Sequence, residues 1–412
     1  MALKIIHFAD AHIDMIVGGK KDPQTGLPVR AGDFLNALDQ IIDCAVSEKA
    51  DLVLFAGDAY RDAVPVPTYQ REWGRRLMRL SEAKIPLLMI PGNHDISPAG
   101  RRASALQDAD TYKVPYLHLA KTIQLWKPED LNGVPVQVLT IPWLSKSAMT
   151  AQIDFRGKTN EEINELFQEE ISKRVQNSMD QIDPNLPAIL LAHYSVLGAQ
   201  YPNRHLVTLG GEVTLSRNIV TNPIFSYCAL GHIHKFQDLN EGHQPPAVYS
   251  GSIEKIDFGE TDDSKGFVSA NIDIHQTTYS FRKLEGRPFY NIELTIQNSE
   301  TFQDEIYAAL PDPEKMRNAM IRLSVEYPDE WAGSLDEREL RKRTAEALEF
   351  HLIRKPISNS RIRIDAGAGV SSMSRQQLLD KYFDSISISG QEKRSLLLLA
   401  DEVFNADEKS ES

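Results

Sequence analysis

Five short motifs in the first 235 residues carry side chains that bind metal ions. In chain order they are Asp10-Ala11-His12, Gly57-Asp58, Gly92-Asn93-His94-Asp95, Ala192-His193-Tyr194 and Gly231-His232-Ile233-His234. The donors are carboxylate and amide oxygens and imidazole nitrogens, with no thiolate among them. This donor set suits Mn²⁺, Fe²⁺ or Zn²⁺ better than copper or an iron–sulfur cluster.

The spacing within the motifs predicts that the side chains converge. Each motif follows a stretch that reads as a β-strand, and ligands of layered α/β folds sit where loops leave the carboxyl ends of strands. Residues at i and i+2 share a side of a strand-to-loop turn, so Asp10 can pair with His12, and His232 with His234. Asp58 is the candidate carboxylate that bridges two cations.

A site for two adjacent cations predicts that the chain is a phosphodiesterase. Such a pair lowers the pKa of a bound water and holds both the attacking and the leaving oxygen at phosphorus. His94 is then the candidate histidine outside the ligand set, placed to protonate the leaving oxygen. Any one motif has an ordinary explanation, since Gly-Asp alone is mostly a turn signal and a lone histidine is often part of a core. The ordered set at strand ends favours the metal site.

The elements that must position these residues are short apolar strands and amphipathic helices. Strands are expected at Leu3–Phe8, Leu52–Ala56, Pro86–Ile90, Val136–Ile141, Ala188–Leu191, Tyr227–Leu230, Ala247–Ser250, Phe267–Ile274 and Thr278–Leu284. Helical spacing of apolar residues predicts helices over Ala31–Lys49, Trp73–Ala83 and Arg101–Tyr112. The pattern is that of an α/β domain built in layers.

A second unit is expected after Gly286-Arg287-Pro288. Strands are predicted at Asn291–Ile296, Ile321–Tyr327 and Arg361–Asp365, and helices at Thr301–Leu310 and Leu335–Leu352. This alternation predicts a small α+β domain. Two amphipathic helices should follow, the first with Leu378, Leu379, Tyr382 and Phe383, the second with Leu396–Leu399, Val403 and Phe404.

Composition excludes several classes of protein. The 412 residues are 42% hydrophobic and 25% charged, with no apolar run long enough to span a membrane and no recognisable signal peptide. Two cysteines, Cys44 and Cys228, exclude a disulfide framework, and a cytoplasmic location is expected. A net charge of −13 argues against a protein that coats nucleic acid through its overall field, although it leaves room for a local basic surface.

The five motifs resemble those of the calcineurin-like metallophosphoesterase superfamily, over residues 3–285. The resemblance implies a layered metallophosphoesterase β-sandwich flanked by helices. It also implies that one metal is held by Asp10, His12, Asp58 and His234, and the second by Asp58, Asn93, His193 and His232. His94 would be the catalytic histidine.

Further motifs narrow the resemblance to the SbcD-type DNA repair nucleases. They are Leu191–Val196, Ala229–Lys235, Tyr249–Glu254 and Asp257–Glu260. The family implies two Mn²⁺ ions, exonuclease and endonuclease cleavage of DNA in double-strand-break repair, a homodimer, and an SbcC-type ATPase with a long coiled coil. The domains would be a phosphodiesterase domain at 1–285, a capping domain at 288–366 and a partner-binding helical segment at 373–406. Trp73–Ala83 and Arg101–Tyr112 would form the dimer contact, and the C-terminal helices would dock on the coiled coil or pack on the chain itself.

Arg61 departs from the superfamily pattern, in which an acid or histidine stands three residues after the bridging aspartate. Arginine cannot act as a general base, but it can hold a phosphate bidentately. Asp62 could instead orient His94, or Arg61 could simply form a surface ion pair with Asp62. Further candidates for DNA contact are Lys20, Lys21, Arg101, Arg102, Arg204 and Arg217.

Two other functions are compatible with the motifs. A phosphoesterase for small molecules would keep the metals but would not need the domain after residue 285. A non-catalytic scaffold would keep only the fold, and it is disfavoured because every ligand position is filled.

Overall fold

The structure is a computed structural model that describes residues 2–16, 18–97, 104, 106–145, 157–202, 205–207, 213–274, 276–357, 375–385, 390 and 393–400. It divides into two compact units, Met1–Phe289 and Tyr290–Ser412. Among the described residues, no helix is both long and apolar enough to cross a membrane.

The first unit contains two six-stranded sheets. One has the strands β1 (Leu3–Phe8), β2 (Leu52–Phe55), β3 (Leu87–Met89), β4 (Leu117–Leu119), β13 (Gly266–Ile272) and β14 (Thr277–Lys283), in the order β14-β13-β1-β2-β3-β4. The strands β1, β2, β3 and β4 pair in parallel, and β13 pairs antiparallel with β1. The carboxyl ends of β1, β2 and β3 therefore lie side by side.

The second sheet has the strands β5 (Gln124–Trp126), β6 (Gln137–Ile141), β7 (Ala188–His193), β10 (Tyr227–Gly231), β11 (Gln237–Asp238) and β12 (Ala247–Tyr249), in the order β11-β12-β10-β7-β6-β5. Here β6, β7, β10 and β12 run parallel. A short separate pair joins β8 (Ser195–Val196) to β9 (Thr214–Leu215).

Three hydrophobic cores show how the layers stack. Leu3 and Ile5 of β1 share a core with Ile189 and Ala229 of the other sheet, so the sheets pack face to face. Ile6 on the opposite face of β1 packs with helices α1 (Val29–Ser47) and α2 (Pro67–Glu82). The outer face of the second sheet packs against helix α4 (Asn160–Met179). Strands that are buried on both faces have nearly continuous apolar sequences, so these strands could be predicted from the sequence.

Two short helices complete the described part of the first unit. They are α3 (Gln107–Thr111) and α5 (Arg217–Val220). The 3₁₀ turns Pro128–Leu131 and Phe258–Glu260 lie in its loops.

The second unit contains a three-stranded sheet of β15 (Phe289–Thr295), β16 (Met320–Pro328) and β17 (Glu349–Ile357), in that order. The short helices α6 (Phe302–Ala308), α7 (Pro313–Met316) and α8 (Glu337–Arg343) and the 3₁₀ turn Asp329–Ser334 connect these strands. A small core of Phe302, Ile306, Leu323, Val325 and Leu340 joins α6 and α8 to the sheet. Helix α9 (Arg375–Ser385) follows, and residues 393–400 are helical as well.

The predicted layered α/β fold is confirmed, with one error in the second unit. The helix expected over Leu335–Leu352 ends at Arg343, because Glu349–Ile357 instead forms a strand parallel to β16. The strand expected at Arg361–Asp365 lies outside the described residues, as do Val403 and Phe404 of the last helix and the start of the helix at Arg101.

Candidate metal centre

The loops at the carboxyl ends of the parallel strands carry the predicted ligands. Asp10 and His12 follow β1, Asp58 follows β2, Asn93 follows β3, His193 ends β7, and His232 and His234 follow β10. The structure brings all of these side chains to one region between the two sheets, although the first and last are far apart in sequence.

The backbone of these loops is unusually constrained. Asp10, His12, Asp58 and His232 have positive φ values of 51°, 39°, 61° and 94°, a left-handed conformation that non-glycine residues rarely adopt. Hydrogen bonds from Asp10 N to Gly57 O (2.9 Å) and from His12 N to Asp58 O (3.1 Å) tie the first two loops together. Uncommon backbone geometry of this kind clusters at functional sites.

Close packing explains two of the motif glycines. A Cβ on Gly57 would lie 2.4 Å from Nδ1 of His193, and one on Gly92 would lie 2.1 Å from Oδ1 of Asp58. Neither contact is possible, so these positions must lack a side chain for the ligands to meet.

One group of donors contains Asp10, His12 and His234, whose ligand atoms lie within 4.8 Å of one another. Nε2 of His12 is 3.3 Å from Nε2 of His234, which in turn is 3.9 Å from Oδ1 of Asp10. Asp10 and His12 are fully buried, so bulk water does not solvate the carboxylate.

A second group contains Asp10, Asp58 and His193, also within 4.8 Å. Nε2 of His193 lies 3.3 Å from Oδ2 of Asp58 and 3.1 Å from Oδ1 of Asn93. Nδ1 of His232 lies 2.9 Å from the same Asn93 oxygen. The side chains predicted for the second metal are therefore neighbours.

Either aspartate can connect the two groups. Asp10 is common to both, while Oδ2 of Asp58 lies 3.8 Å from Nε2 of His12 and 3.3 Å from Nε2 of His193. Asp58 therefore lies between one histidine of each group, as a bridging ligand must.

Hydrogen bonds on the far side of each ring set the histidine protonation. Nδ1 of His12 faces the carbonyl of Tyr60 (3.2 Å), Nδ1 of His193 faces that of Ala56 (2.6 Å), and Nδ1 of His234 faces Oε1 of Glu260 (3.0 Å). These oxygens only accept, so each Nδ1 carries the hydrogen. In the neutral rings each Nε2 then presents a lone pair.

The Nε2 atoms of these rings point toward carboxylate and amide oxygens, so a proton or a metal ion must lie between each ring nitrogen and its oxygen. Burial lowers the pKa of His12 to about 3, so that ring is neutral. Burial alone would lower the pKa of His193 too, but the Asp58 carboxylate outweighs it and raises this pKa to about 9. Burial likewise opposes the ionisation of Asp58, yet the neighbouring His193 and His12 hold its pKa below the ordinary range. The arrangement needs cations, and the oxygen and nitrogen donors fit divalent metal ions.

His94 stands beside this centre and outside both groups. Its ring lies 5.0 Å from that of His12, its backbone N donates to Oδ1 of Asp58 (2.9 Å), and its Nδ1–H donates to the carbonyl of Arg61 (2.7 Å). The last contact leaves Nε2 as the atom that can exchange a proton. The carbonyl of Arg61, and not the Asp62 side chain, contacts the ring.

The guanidinium of Arg61 lies in an exposed ion pair with Asp62 at 2.8 Å. Of the other basic candidates, Lys20, Lys21 and Arg217 are exposed, and Arg217 also donates to the carbonyl of Leu239. Arg101, Arg102 and Arg204 lie outside the described residues.

Sequence reasoning gave no role to several side chains that support the centre. The buried Asp95 carboxylate accepts from the backbone N of Asp58 (2.8 Å), Ala59 (3.1 Å) and Gly92 (2.9 Å), so it anchors two ligand loops. The Trp143 ring stacks on that of His232, 5.5 Å between centroids. Asp95 belongs to a motif that the sequence singles out, whereas nothing in the sequence around Trp143 indicates this contact.

Comparisons with known proteins identify the family of the chain. Residues 3–236 match the calcineurin-like phosphoesterase family. The chain is 27% identical over 276 residues to an SbcCD nuclease subunit of Staphylococcus epidermidis, an alignment that covers 66% of this chain and 67% of the relative.

Among solved structures, a protein of Thermus thermophilus aligns with 68% of this chain and 99% of its own, at 14% identity and a TM-score of 0.38. A dimetal phosphatase from Danio rerio aligns with 67% of this chain and 98% of its own, at 10% identity and a TM-score of 0.36. The family match covers more than half of the 412 residues and includes every residue of the two donor groups. The chain therefore belongs to the calcineurin-like phosphoesterase family.

Proposed function

We propose that the chain is a Mn²⁺-dependent DNA phosphodiesterase with exonuclease and endonuclease activity, which acts in double-strand-break repair with an SbcC-type ATPase. The observation that carries the proposal is the convergence of the Nε2 atoms of His12, His193 and His234 on buried carboxylates, with His94 beside them. The relative named as an SbcCD nuclease subunit supports DNA as the substrate.

The ligand roles in this proposal are assigned to two metal positions. Asp10, His12, Asp58 and His234 would hold one ion, and Asp58, Asn93, His193 and His232 the other. When bound, two divalent ions supply a hydroxide nucleophile and stabilise charge on the phosphate oxygens. The donors are compatible with Mn²⁺, Fe²⁺ or Zn²⁺, and Mn²⁺ is the metal that the resemblance to the SbcD-type nucleases implies.

The chain's own groups carry out the proton transfer and the placement of the substrate. His94, with its Nδ1–H held by the Arg61 carbonyl, would deliver a proton from Nε2 to the leaving oxygen. Arg61 would bind a phosphate oxygen of the DNA. Its ion pair with Asp62 is exposed and worth little, so a phosphate can displace the carboxylate at small cost.

A homodimer and the ATPase partner belong to the same proposal. The apolar side chains of Val64, Val66, Met78 and Tyr112 are exposed on and around α2 and α3, which supports a contact with a second copy there. In the second unit, Tyr382, Leu398 and Leu399 are exposed on the C-terminal helices, which supports docking of these helices on a coiled coil. Cysteines with no disulfide partner fit a cytoplasmic location.

The test is incubation of the chain with Mn²⁺ and labelled linear, hairpin and circular single-stranded DNA, beside a small phosphodiester. DNA cleavage is expected when an SbcC-type ATPase is present, and the incubation without the ATPase shows whether the chain cleaves DNA alone. Asp58→Ala, which removes the bridging carboxylate, serves as the inactive control. Hydrolysis of the small ester without DNA cleavage, even with the ATPase present, would reject the nuclease in favour of a small-molecule phosphoesterase.

A further inference from the structure

The rings of His12 and His234 are held from behind by groups that belong to neither donor group. For His234 that group is a carboxylate, Oε1 of Glu260, at 3.0 Å from Nδ1. For His12 it is the carbonyl of Tyr60, at 3.2 Å from Nδ1. The groups that contact each of these two acceptors determine how firmly the histidine ring is oriented and how basic its Nε2 is.

Glu260 is fixed through both of its oxygens. Its side chain is only 6% exposed, and Oε2 lies 3.0 Å from Nζ of Lys265 and accepts from the backbone N of Ile256 (2.8 Å). Lys265 also donates to the carbonyl of His234 itself (2.9 Å). The carboxylate therefore has no freedom to turn away from the ring, and each of its oxygens must accept.

Behind the Tyr60 carbonyl stands a second carboxylate, that of Asp14. Its Oδ1 accepts from the backbone N of Arg61 at 2.6 Å, and the Asp14 side chain is almost fully buried. The N–H of Arg61 and the carbonyl of Tyr60 belong to one planar peptide group. A carboxylate on the N–H side polarises the carbonyl on the other side, so the negative charge of Asp14 reaches His12 through one peptide.

The histidine of the other donor group lacks this arrangement at its ring. Nδ1 of His193 rests on the carbonyl of Ala56, a neutral acceptor, at 2.6 Å. His193 therefore differs from His12 and His234 in the group that lies behind its ring. The position of His12 and His234 has a carboxylate behind each ring, one in direct contact and one acting through a peptide.

We propose that Glu260 and Asp14 are positioning residues for one metal position alone, the one formed by His12 and His234. Glu260 holds the Nδ1–H form of His234, and Asp14 holds the 60–61 peptide that does the same for His12. Their loss weakens this position and leaves that of His193 and His232 intact. The inference rests on the proposed two-metal centre but not on the substrate.

The two carboxylates call for different substitutions. In Glu260→Gln the amide keeps one acceptor, whereas Glu260 uses both oxygens as acceptors. The new NH₂ group must therefore face Lys265, the Ile256 N–H or His234 Nδ1. In Asp14→Asn the amide oxygen can still accept from Arg61, and only the charge is lost, so a smaller effect is expected.

The experiment measures Mn²⁺ binding to the metal-free full chain by calorimetry, and free Mn²⁺ by electron paramagnetic resonance. Glu260→Gln should weaken one of two affinities by roughly ten- to a hundredfold, with the other unchanged. Asp14→Asn should weaken the same affinity by less, and Asp14→Ala by more than Asp14→Asn. The matched control is Glu254→Gln, a buried glutamate of the same segment that pairs with Arg30 at 3.8 Å and should leave both affinities unchanged.

Thermal unfolding of the metal-free variants separates positioning from general damage. The proposal is overturned if Glu260→Gln and Asp14→Asn leave both affinities at the wild-type value. It is also overturned if both affinities fall together with the metal-free unfolding temperature. A wild-type chain that binds two Mn²⁺ ions but cleaves no DNA would reject the proposed function and leave this inference standing, because it is measured by binding alone.

Discussion

At the scale of single residues, His94 differs from the other histidines of the centre in what its ring contacts. The rings of His12 and His193 present Nε2 to the carboxylate of Asp58, whereas His94 contacts Asp58 only through its backbone N. Metal retention and proton transfer should therefore be separable by mutation.

His94→Ala is expected to lower the rate of phosphodiester cleavage by roughly 10²–10⁴-fold, the usual contribution of a general acid. Metal content should stay near that of the wild type because no ligand is removed. Elemental analysis of the purified variant, alongside the cleavage rate, checks both points. Loss of bound metal would show that His94 is a ligand instead, and Asp58→Ala provides the reference for a metal-depleted centre.

Gly57 offers a prediction about packing at a single residue. In Gly57→Ala the new methyl would collide with the His193 ring, at a position whose φ is 95°. We expect weaker Mn²⁺ binding and destabilisation by about 1–3 kcal/mol, measured by calorimetry and denaturant unfolding. Gly74→Ala is the control, since nothing lies within 4 Å and α2 should gain about 0.5–1 kcal/mol. Equal effects of the two substitutions would contradict the packing argument.

The sequence predicts which side chains lie together at the candidate centre, but it does not predict the side chains that support them. Asp10, Asp58 and His232 could be identified because ligand-type residues follow apolar strands in order. Asp14 and Glu260 could not, because their roles depend on which backbone N–H or ring nitrogen the folded chain places against them. Such contacts leave no periodic signal.

At the scale of elements, burial decided what the sequence could predict. Strands such as β1 and β7 are largely apolar and almost fully buried, and their predicted bounds lie within two residues of the observed ones. Helix α4 is not among the predicted helices, although Thr159 and Glu162 form a capping box at its start. In the second unit β17 is largely exposed and lacks a continuous apolar run, and the predicted helix wrongly includes its first residues, Glu349–Leu352.

The contact between β1 and β10 allows a prediction about pH. Nδ1 of His7 lies 3.0 Å from the hydroxyl of Tyr227, which joins the two sheets across their shared core. Burial lowers the pKa of His7 from 6.5 to about 3. Between these values the unfolded chain binds a proton that the folded chain excludes, so stability is lost as pH falls below 6.5.

The free energy of unfolding should fall by about 2 kcal/mol through His7 alone between pH 7.5 and pH 5. His7→Gln removes the titrating group, so its free energy of unfolding should decline less over the same range. Denaturant unfolding of both metal-free proteins at the two pH values measures the difference. Parallel losses in the two proteins would show that the buried His7 contributes nothing to acid sensitivity.

At the scale of the whole molecule, the negative charge of the chain explains why bound metal ions should stabilise the fold. The chain carries a formal net charge of −13, and buried carboxylates meet at the end of the sandwich. Cations bound there relieve repulsion between Asp10 and Asp58, so metal binding and folding of the first unit are linked.

Removal of metal with a chelator should therefore lower the unfolding temperature of the first unit, and Mn²⁺ should restore it. Saturation at about 100 times the dissociation constant stabilises a one-site protein by roughly 2.7 kcal/mol, which corresponds to several degrees. Differential scanning calorimetry with and without Mn²⁺ measures the shift. Asp58→Ala should show little shift, and a full shift in that variant would disprove the bridging role.

The wide spacing of the ligands along the chain has a consequence during protein synthesis. With Asn93 included, the candidate donors come from five loops, the first at Asp10 and the last at His234, and Glu260 follows later still. Because a chain emerges from the ribosome amino end first, a partly made chain holds scattered donors and no centre. The complete centre can thus form only late in synthesis, when β10 pairs with β7. An unfinished fragment therefore has no phosphoesterase activity.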